Sequence, residues 1–417
     1  MKMAQLNSDG VGSALVLQDG TVLVYGCLQT LGFVKVLSQR PMPLEEWFDP
    51  GRKIVVSGKA LSAEIGQYHA TIVSQKGELF TWGSARAAGG GGNCLGLGDS
   101  DIGVLQPTLT PQLVRGGLEG ECVVQCRMGN FHTVALTETG RVFVFGSSIS
   151  GQLGTGEMKA QIDVPQIMRG SLEAVRVVFI SAGAVHTVCT TDQGRMYTWG
   201  MNDTGQLGQG DRINRCIPTL VDGNIRGHRV IFTASSCFTN AAITDKEELF
   251  LWGWGNRGQL GRVDLAGMPD LSDCLTPEVL DSLKRVSVVA CHSEFMVAVC
   301  DGEVWVWGGS LDKFLPHLAI PLGIDVGGSQ FQGSYTPVRV GGKLKGHFIT
   351  TVSCSKFNIV AITDKGQVML LLHTCMRYFC ILRWYLWEEL SPHVSHLKGA
   401  KTTTRKLHLQ KFNLLSL

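Results

Sequence analysis

Hydrophobic and polar positions alternate with a period of two along most of this chain, in runs of five or six residues broken by glycine-containing turns. Between 131 and 146, Val134 and Leu136 alternate with Thr133 and Ala135, a polar turn follows at Glu138-Thr139-Gly140, and Val142 and Val144 alternate with Phe143 and Phe145. That period belongs to strands rather than helices, and the tight turn makes the pair a hairpin. A β-branched run precedes each hairpin, as at 175–180 and 286–289, and a Pro-bearing run follows it, beginning at Pro111, Pro165, Pro218, Pro277 and Pro337. Proline has no backbone donor and is tolerated at a sheet edge, so the Pro-bearing strand is expected to be the outermost of four.

The unit recurs. Its hairpins end at Gly26, Gly83, Gly146, Gly200, Gly253 and Gly308, at intervals of about 55 residues, and a seventh begins with the turn Asp364-Lys365-Gly366. Six residues beyond Gly366 stands Leu372, where glycine is due, so the seventh unit reads as interrupted after 368. Repetition at this period means a solenoid, propeller or array. Four antiparallel strands per unit select an all-β, seven-bladed β-propeller over 1–370, with an incomplete seventh blade and a non-repeat tail over 371–417.

Between hairpin and outer strand, three copies carry Gly-Gln-Leu-Gly: Gly151, Leu153 and Gly154; Gly205, Leu207 and Gly208; Gly258, Leu260 and Gly261. Blade two has the related Cys94-Leu95-Gly96-Leu97-Gly98. The glycines permit positive φ and close backbone approach, while the leucine can dock under the turn. Together with the Trp-Gly pairs and the Gly-x-x-His-Thr segments, these motifs resemble the regulator of chromosome condensation repeat, and the resemblance covers about residues 1–370. That family folds as a seven-bladed propeller, which agrees with the count of units.

Three histidines, His69, His132 and His186, invite a metal or acid–base reading, but all occupy one repeat position, fourteen before the blade glycine. Copies in a ring are rotated by about 51° from one another, so they are expected to serve the blades, each bonded to a neighbouring backbone group. The same position is read as Gly12, Thr239, Glu294 and Asn358 in other units. Trp82, Trp199, Trp252 and Trp307 recur at the blade end and are expected to pack between blades. The segment 87–93 (Ala-Ala-Gly-Gly-Gly-Gly-Asn) lacks the Gly-Lys-Ser/Thr ending and the following helix of a phosphate-binding loop. No acid, base and nucleophile set stands outside repeat positions, so neither catalysis nor a cofactor nor a metal is expected.

Charge and composition narrow the function classes. Glycine at 52 of 417 residues, with 17% charged, suits many short strands and tight turns. The net charge of +2 divides unevenly: residues 371–417 hold seven Lys or Arg against Glu388 and Glu389, leaving the body weakly acidic. A weakly acidic propeller has no global attraction for phosphate backbones, so nucleic-acid binding by the body is not expected. Thirteen scattered cysteines without CxxC pairs, and an N-terminal Met1-Lys2-Met3-Ala4-Gln5 unlike a secretory signal, suggest reduced thiols in cytoplasm or nucleus. The apolar run 370–387 is interrupted by His373, Arg377 and Arg383, each costly at mid-bilayer, which argues against a membrane span. An interfacial or docking helix, or a non-homologous end such as a splice product, remain open for it.

The resemblance implies two serious functions: a protein-interaction scaffold binding partners through blade loops, or a guanine-nucleotide exchange factor for a Ran-like small GTPase. A chromatin-associated regulator is a further member type, though the basic N-terminal arm of such members has no counterpart here. The family's tryptophan-based light sensing uses Gly-Trp-Arg-His-Thr copies, whereas the matching segments read Gly129-Asn130-Phe131-His132-Thr133 and Gly183-Ala184-Val185-His186-Thr187. Loops longer than the repeat norm, at 84–110, 262–276 and 309–336, are where a partner is expected to bind.

Overall fold

Each repeat folds as the alternation demands. In blade 3 the strands Val123–Met128, His132–Thr137, Val142–Ser148 and Ala160–Ile167 lie side by side in chain order, all antiparallel. The computed structural model describes residues 2–3, 12–16, 19–27, 48–66, 68–83, 94–98, 108–309, 334–341, 344–354 and 358–372. Among them are six such four-stranded blades of an all-β propeller and a seventh sheet of three strands, Ile349–Cys354, Asn358–Thr363 and Val368–Leu372. The described residues thus contain six complete blades, one fewer than the repeat count suggests, and no outer strand is described for the seventh. The chain divides into two compact units, Met1–Arg377 and Tyr378–Leu417. The second unit and the glycine-rich segment 87–93 lie outside the described residues.

The interruption after 368 is corrected by the pairing. Val368–Leu372 runs antiparallel to Asn358–Thr363 as far as Asn358 opposite Leu372, the register that places His132 opposite Gly146 and His186 opposite Gly200. Leucine here continues the strand where the repeat has glycine. In blade 6 the hairpin is one residue shorter, so Phe295, rather than Glu294, stands opposite Gly308 and holds the histidine position.

Proline marks the outer strand in the five blades where it was expected. In blade 3 the register between the third and fourth strands jumps from Val144–Gln166 to Gly146–Ile162, and Pro165 falls inside the jump. Blades 2, 4, 5 and 6 place Pro111, Pro218, Pro277 and Pro337 in the same way. A residue without an N–H costs nothing where the ladder has already parted.

Second strands are buried at every residue in blades 2 to 6, because both faces of each sheet are covered by neighbours. Polar groups in such a position need partners. Ser74, Thr137, Thr191 and Thr244 find them within their own hairpins, and three layers of bonds run between blades.

The first layer is backbone. The turn carbonyl of each hairpin accepts the N–H at the start of the next blade's first strand: Ala60 to Gly20 (3.1 Å), Val123 to Gly77 (2.9 Å), Val177 to Gly140 (3.1 Å), Val230 to Gly194 (3.1 Å), Val286 to Glu247 (3.0 Å) and Ile349 to Gly302 (2.8 Å). All six successive junctions carry this bond. The turn residue must be left-handed, and Glu247 adopts φ +61° where its counterparts are glycine.

The second layer is the histidine. His69 Nε2 lies 2.8 Å from Thr133 Oγ1, His132 Nε2 3.0 Å from Thr187 Oγ1, and His186 Nε2 2.8 Å from Asn240 Oδ1, in each case on the following blade. Thr187 in turn donates to the carbonyl of Gln152 (3.1 Å), Thr133 to that of Cys94 (3.0 Å), and the Asn240 amide to that of Gln206 (2.8 Å). Because each threonine hydroxyl hydrogen is committed to a carbonyl and the Asn240 Oδ1 can only accept, the ring nitrogen is the donor. The backbone partner expected for these rings is therefore replaced by a side chain of the neighbouring blade. Burial holds the rings neutral, lowering His69 and His186 to about 4 and His132 to about 3.

The third layer joins the two most recognisable motifs. Trp199, Trp252 and Trp307 donate their indole N–H to the carbonyls of Gln152 (2.9 Å), Gln206 (3.0 Å) and Gln259 (2.8 Å), the glutamines of the preceding Gly-Gln-Leu-Gly loops. The closing glycine of each loop lies against the same indole; a Cβ at Gly154 would come 2.7 Å from Trp199 Nε1. Leu153, Leu207 and Leu260 are fully buried beneath.

Two predictions follow from this packing. Gly200 has φ +112°, and a Cβ there would sit 2.6 Å from His186 Cα and from the Val185 carbonyl oxygen. Gly200→Ala should destabilise by about 2 kcal/mol or more, read as a lowered urea midpoint. The second concerns pH. The unfolded chain protonates its histidines below about 6.5, whereas the folded rings stay neutral until about 4, so stability should fall as pH drops through that interval. Glu64, raised by burial to about 7, opposes the trend, since its contribution is lost as pH rises toward that value. Three protons against one leave a net slope approaching about 3 kcal/mol per pH unit. Denaturant midpoints that stay flat from pH 7 to pH 5 would contradict the neutral buried rings.

Candidate interaction face and the fifth-blade finger

The polar repeat residues are thus occupied in holding blades together, and the surface available for recognition is set by the loops. Among the described residues, the loops joining third to fourth strands in blades 2, 3 and 4 lie on one face and rest on the next blade: Gly98 N–H donates to Asp163 O (2.9 Å), Gly156 to Cys216 O (2.8 Å) and Gly210 to Leu275 O (2.9 Å). The buried glutamines organise them from within. Gln152 Oε1 accepts the N–H groups of Ile149 (3.1 Å) and Ser150 (3.0 Å), while Gln206 Oε1 accepts that of Thr204 (2.9 Å). Exposed apolar side chains line the same face: Ile149 and Met158 on blade 3 and Ile213 on blade 4.

Of the three long loops, 262–276 is fully described, whereas 84–93, 99–107 and 310–333 lie outside the described residues. It forms a short hairpin finger. Val263 bridges Pro269, Asp264 N–H donates to Met268 O (2.7 Å), and Gly267, at φ +78°, donates to Asp264 O (2.9 Å). The Asp264 carboxylate caps the tip by accepting from the N–H groups of Ala266 (2.9 Å) and Met268 (2.8 Å).

The base is clamped by Arg262. Its guanidinium donates to Ser272 O (2.8 Å) and pairs with Asp270 (3.2 Å) and Glu278 (3.3 Å). Asp270 accepts from the Ser272 hydroxyl (2.6 Å), a bond that holds its carboxyl below the ordinary range. Asp273 pairs with Arg212 of the blade-4 loop (2.9 Å), and Arg212 donates also to Asp203 O. The finger is therefore braced on two blades while its tip is bare. Leu265 is 110% exposed and Met268 62%, with Val263 and Leu271 exposed beside them.

A second recess lies on the axis. First strands from blades 2 to 6 and from the seventh sheet line a cavity of about 780 Å³. Glu64 of blade 2 and Arg127 of blade 3 form a buried ion pair in its wall; Arg127 lies over the Phe179 ring, 5.6 Å from its centroid. Phe179 packs on Phe232 at 4.9 Å, and the Ser181 and Ser235 hydroxyls bond to one another. Burial is the larger influence on Glu64 and outweighs the attraction of Arg127. These contacts tie first strands of successive blades, and they are directed at each other rather than at the space they enclose.

Among the described residues, no three His, Cys, Asp or Glu side chains are grouped as a metal would require, and no helix is long and apolar enough to cross a membrane. His69, His132 and His186 are brought into successive blades, not into one site. Period and spacing located the finger only as excess loop length; its signal was the apolar pair Leu265 and Met268 around Gly267, flanked by aspartates. The roles of Arg262 and of the loop glutamines had no sequence counterpart.

Comparison with known proteins places this geometry. The model of the regulator of chromosome condensation (RCC1) repeat matches residues 76–136, 139–190, 193–243 and 246–299, together more than half of the chain. The E3 ubiquitin-protein ligase HERC2 of Mus musculus is 31% identical over 308 residues, covering 73% of this chain and 6% of the ligase. The ultraviolet-B receptor UVR8 of Arabidopsis thaliana is 29% identical over 333 residues, 79% of this chain and 67% of the receptor. The chain thus spans only a small part of the ligase that it matches. Among solved structures, human WBSCR16 aligns with a TM-score of 0.68 at 22% identity, covering 84% of this chain and 88% of that one. Yeast RCC1 (Prp20), solved bound to Kap60, aligns at 0.65 and 19% identity, covering 92% and 83%. At such identities the likeness is one of fold, and the repeat matches carry the assignment: the chain belongs to the regulator of chromosome condensation repeat family.

Proposed function

We propose that this chain is a non-catalytic interaction scaffold of the cytoplasm or nucleus, whose loop face binds partner proteins, and that its seventh sheet closes the ring as a seventh blade. The observation that carries the first reading is the division of labour between residue types. The histidines and their threonine or asparagine partners are taken up by inter-blade bonds, whereas the loop face from blade 3 to blade 5 exposes Ile149, Met158, Ile213, Val263, Leu265, Met268 and Leu271. Loops held on a rigid β frame suit recognition rather than chemistry. Ten cysteines among the described residues are free thiols, seven of them buried, in keeping with a reducing compartment. Nucleotide exchange on a small GTPase is the competing function; the 19% identity to yeast RCC1 supports a shared fold and no more.

Two measurements separate them. Photo-crosslinking amino acids at Ile149 and Ile213, on the loop face, should capture protein partners, and one at Gln193, in a turn on the opposite face, should capture few. Release of fluorescent GDP from a panel of small GTPases should proceed at its intrinsic rate when the chain is added. Acceleration for one GTPase would replace the scaffold with an exchange factor, and capture confined to Gln193 would move the site to the other face.

A further inference from the structure

We infer that the fifth-blade finger is a docking knob for another protein, and that its occupant is a pocket apolar at the base and rimmed by Lys or Arg. The inference rests on the loop-face reading and names the chemistry of the partner.

Three observations lead to it. The tip presents apolar area that no folding requirement explains: Leu265 touches water over its whole side chain and Met268 over most of it, while residues 263 to 268 are exposed without a break. A projecting apolar pair of this kind marks an interaction site rather than the ordinary scatter of surface leucines.

The tip is also pre-shaped. The Asp264 cap, the Val263–Pro269 bridge, the Arg262 clamp and the Arg212–Asp273 strut leave little backbone freedom to lose on binding, which is the cost that weakens flexible loops. These braces hold the shape of a part that makes few contacts of its own.

Charge then selects the occupant. Residues 262–273 carry one cation, Arg262, against Asp264, Asp270 and Asp273. Arg262 is engaged with Asp270, Glu278 and Ser272, and Asp273 is engaged with Arg212. Asp264 uses its Oδ1 on backbone N–H groups, and no ion pair to it is described. An apolar knob edged by a carboxylate without a cation is complementary to a pocket with a basic rim. It is poorly suited to an anionic lipid surface, which repels that charge.

The test starts from the full chain with a benzophenone amino acid at Leu265, cross-linked in cells, with the captured peptide mapped. The captured protein is then purified and titrated against the unmodified chain, Leu265→Ala/Met268→Ala and Asp264→Asn. The asparagine keeps the Oδ1 cap and removes the charge. Expected are a mapped peptide lining an apolar pocket edged by Lys or Arg, a loss of tenfold or more in Kd for the double variant at unchanged Tm, and a shallower salt dependence for Asp264→Asn. Cross-links to a second copy of this chain, a pocket edged by acidic residues, or cosedimentation of the unmodified chain with phosphatidylserine vesicles through the finger would overturn the proposal. Full affinity in the double variant, with loss on substituting Ile149 and Ile213 by Asp, overturns the finger and leaves the loop-face reading standing. If neither set of substitutions weakens binding, both fall.

Discussion

The structure depends on polar groups handed from one blade to the next. A sheet buried on both faces cannot satisfy all its side chains alone, and here the second strands of blades 2, 3 and 4 reach forward through a histidine to the following blade, whose own side chains reach back. His132 meets Thr187, Thr187 meets the Gln152 carbonyl, and Trp199 meets the same carbonyl. An unsatisfied buried donor costs about 1–3 kcal/mol, so a blade in the wrong rotation or at the wrong distance forfeits several such bonds at once. Apolar burial makes the blades associate; the directional bonds decide how.

This explains why the repeat reads as it does. Tryptophan, glycine and glutamine appear in the motif together because they form one contact between two successive units: an indole donating to the glutamine carbonyl, with the closing glycine lying flat upon it. Where the unit departs from the motif, the geometry adapts. Asn240 replaces threonine and still donates to Gln206 O, while Glu247 takes the left-handed turn position usually held by glycine.

Fold class, strand count per unit and the outer position of the proline strand were all legible in the sequence, because each follows from local rules of period and backbone donor supply. What could not be read were contacts between units. The histidines showed their repeat position but not that Nε2 would find Thr133, Thr187 or Asn240, since such partners stand 64, 55 and 54 residues away and belong to another sheet. The end of the seventh hairpin was misplaced for a related reason. Leu372 breaks the glycine pattern, yet backbone pairing does not need the glycine, and the strand continues to it. The finger, finally, was visible as length without shape, because Arg262 reaches Ser272 and Glu278 through space rather than through any motif.

The seating of the blade-2, blade-3 and blade-4 loops on the outer strand of the next blade has a consequence for how such a ring can change over time. Gly156 rests on Cys216 and Gly210 on Leu275, so the tiles overlap and no radial cut separates one sheet from its neighbour cleanly. Excising a single sheet would strand a histidine without its acceptor and a loop without its floor. The segment that can be duplicated or exchanged is therefore offset from the sheet, and runs from one second strand to the next. Such a segment carries a loop together with the indole that supports the loop before it, so new binding surfaces can enter the ring with their seams already matched.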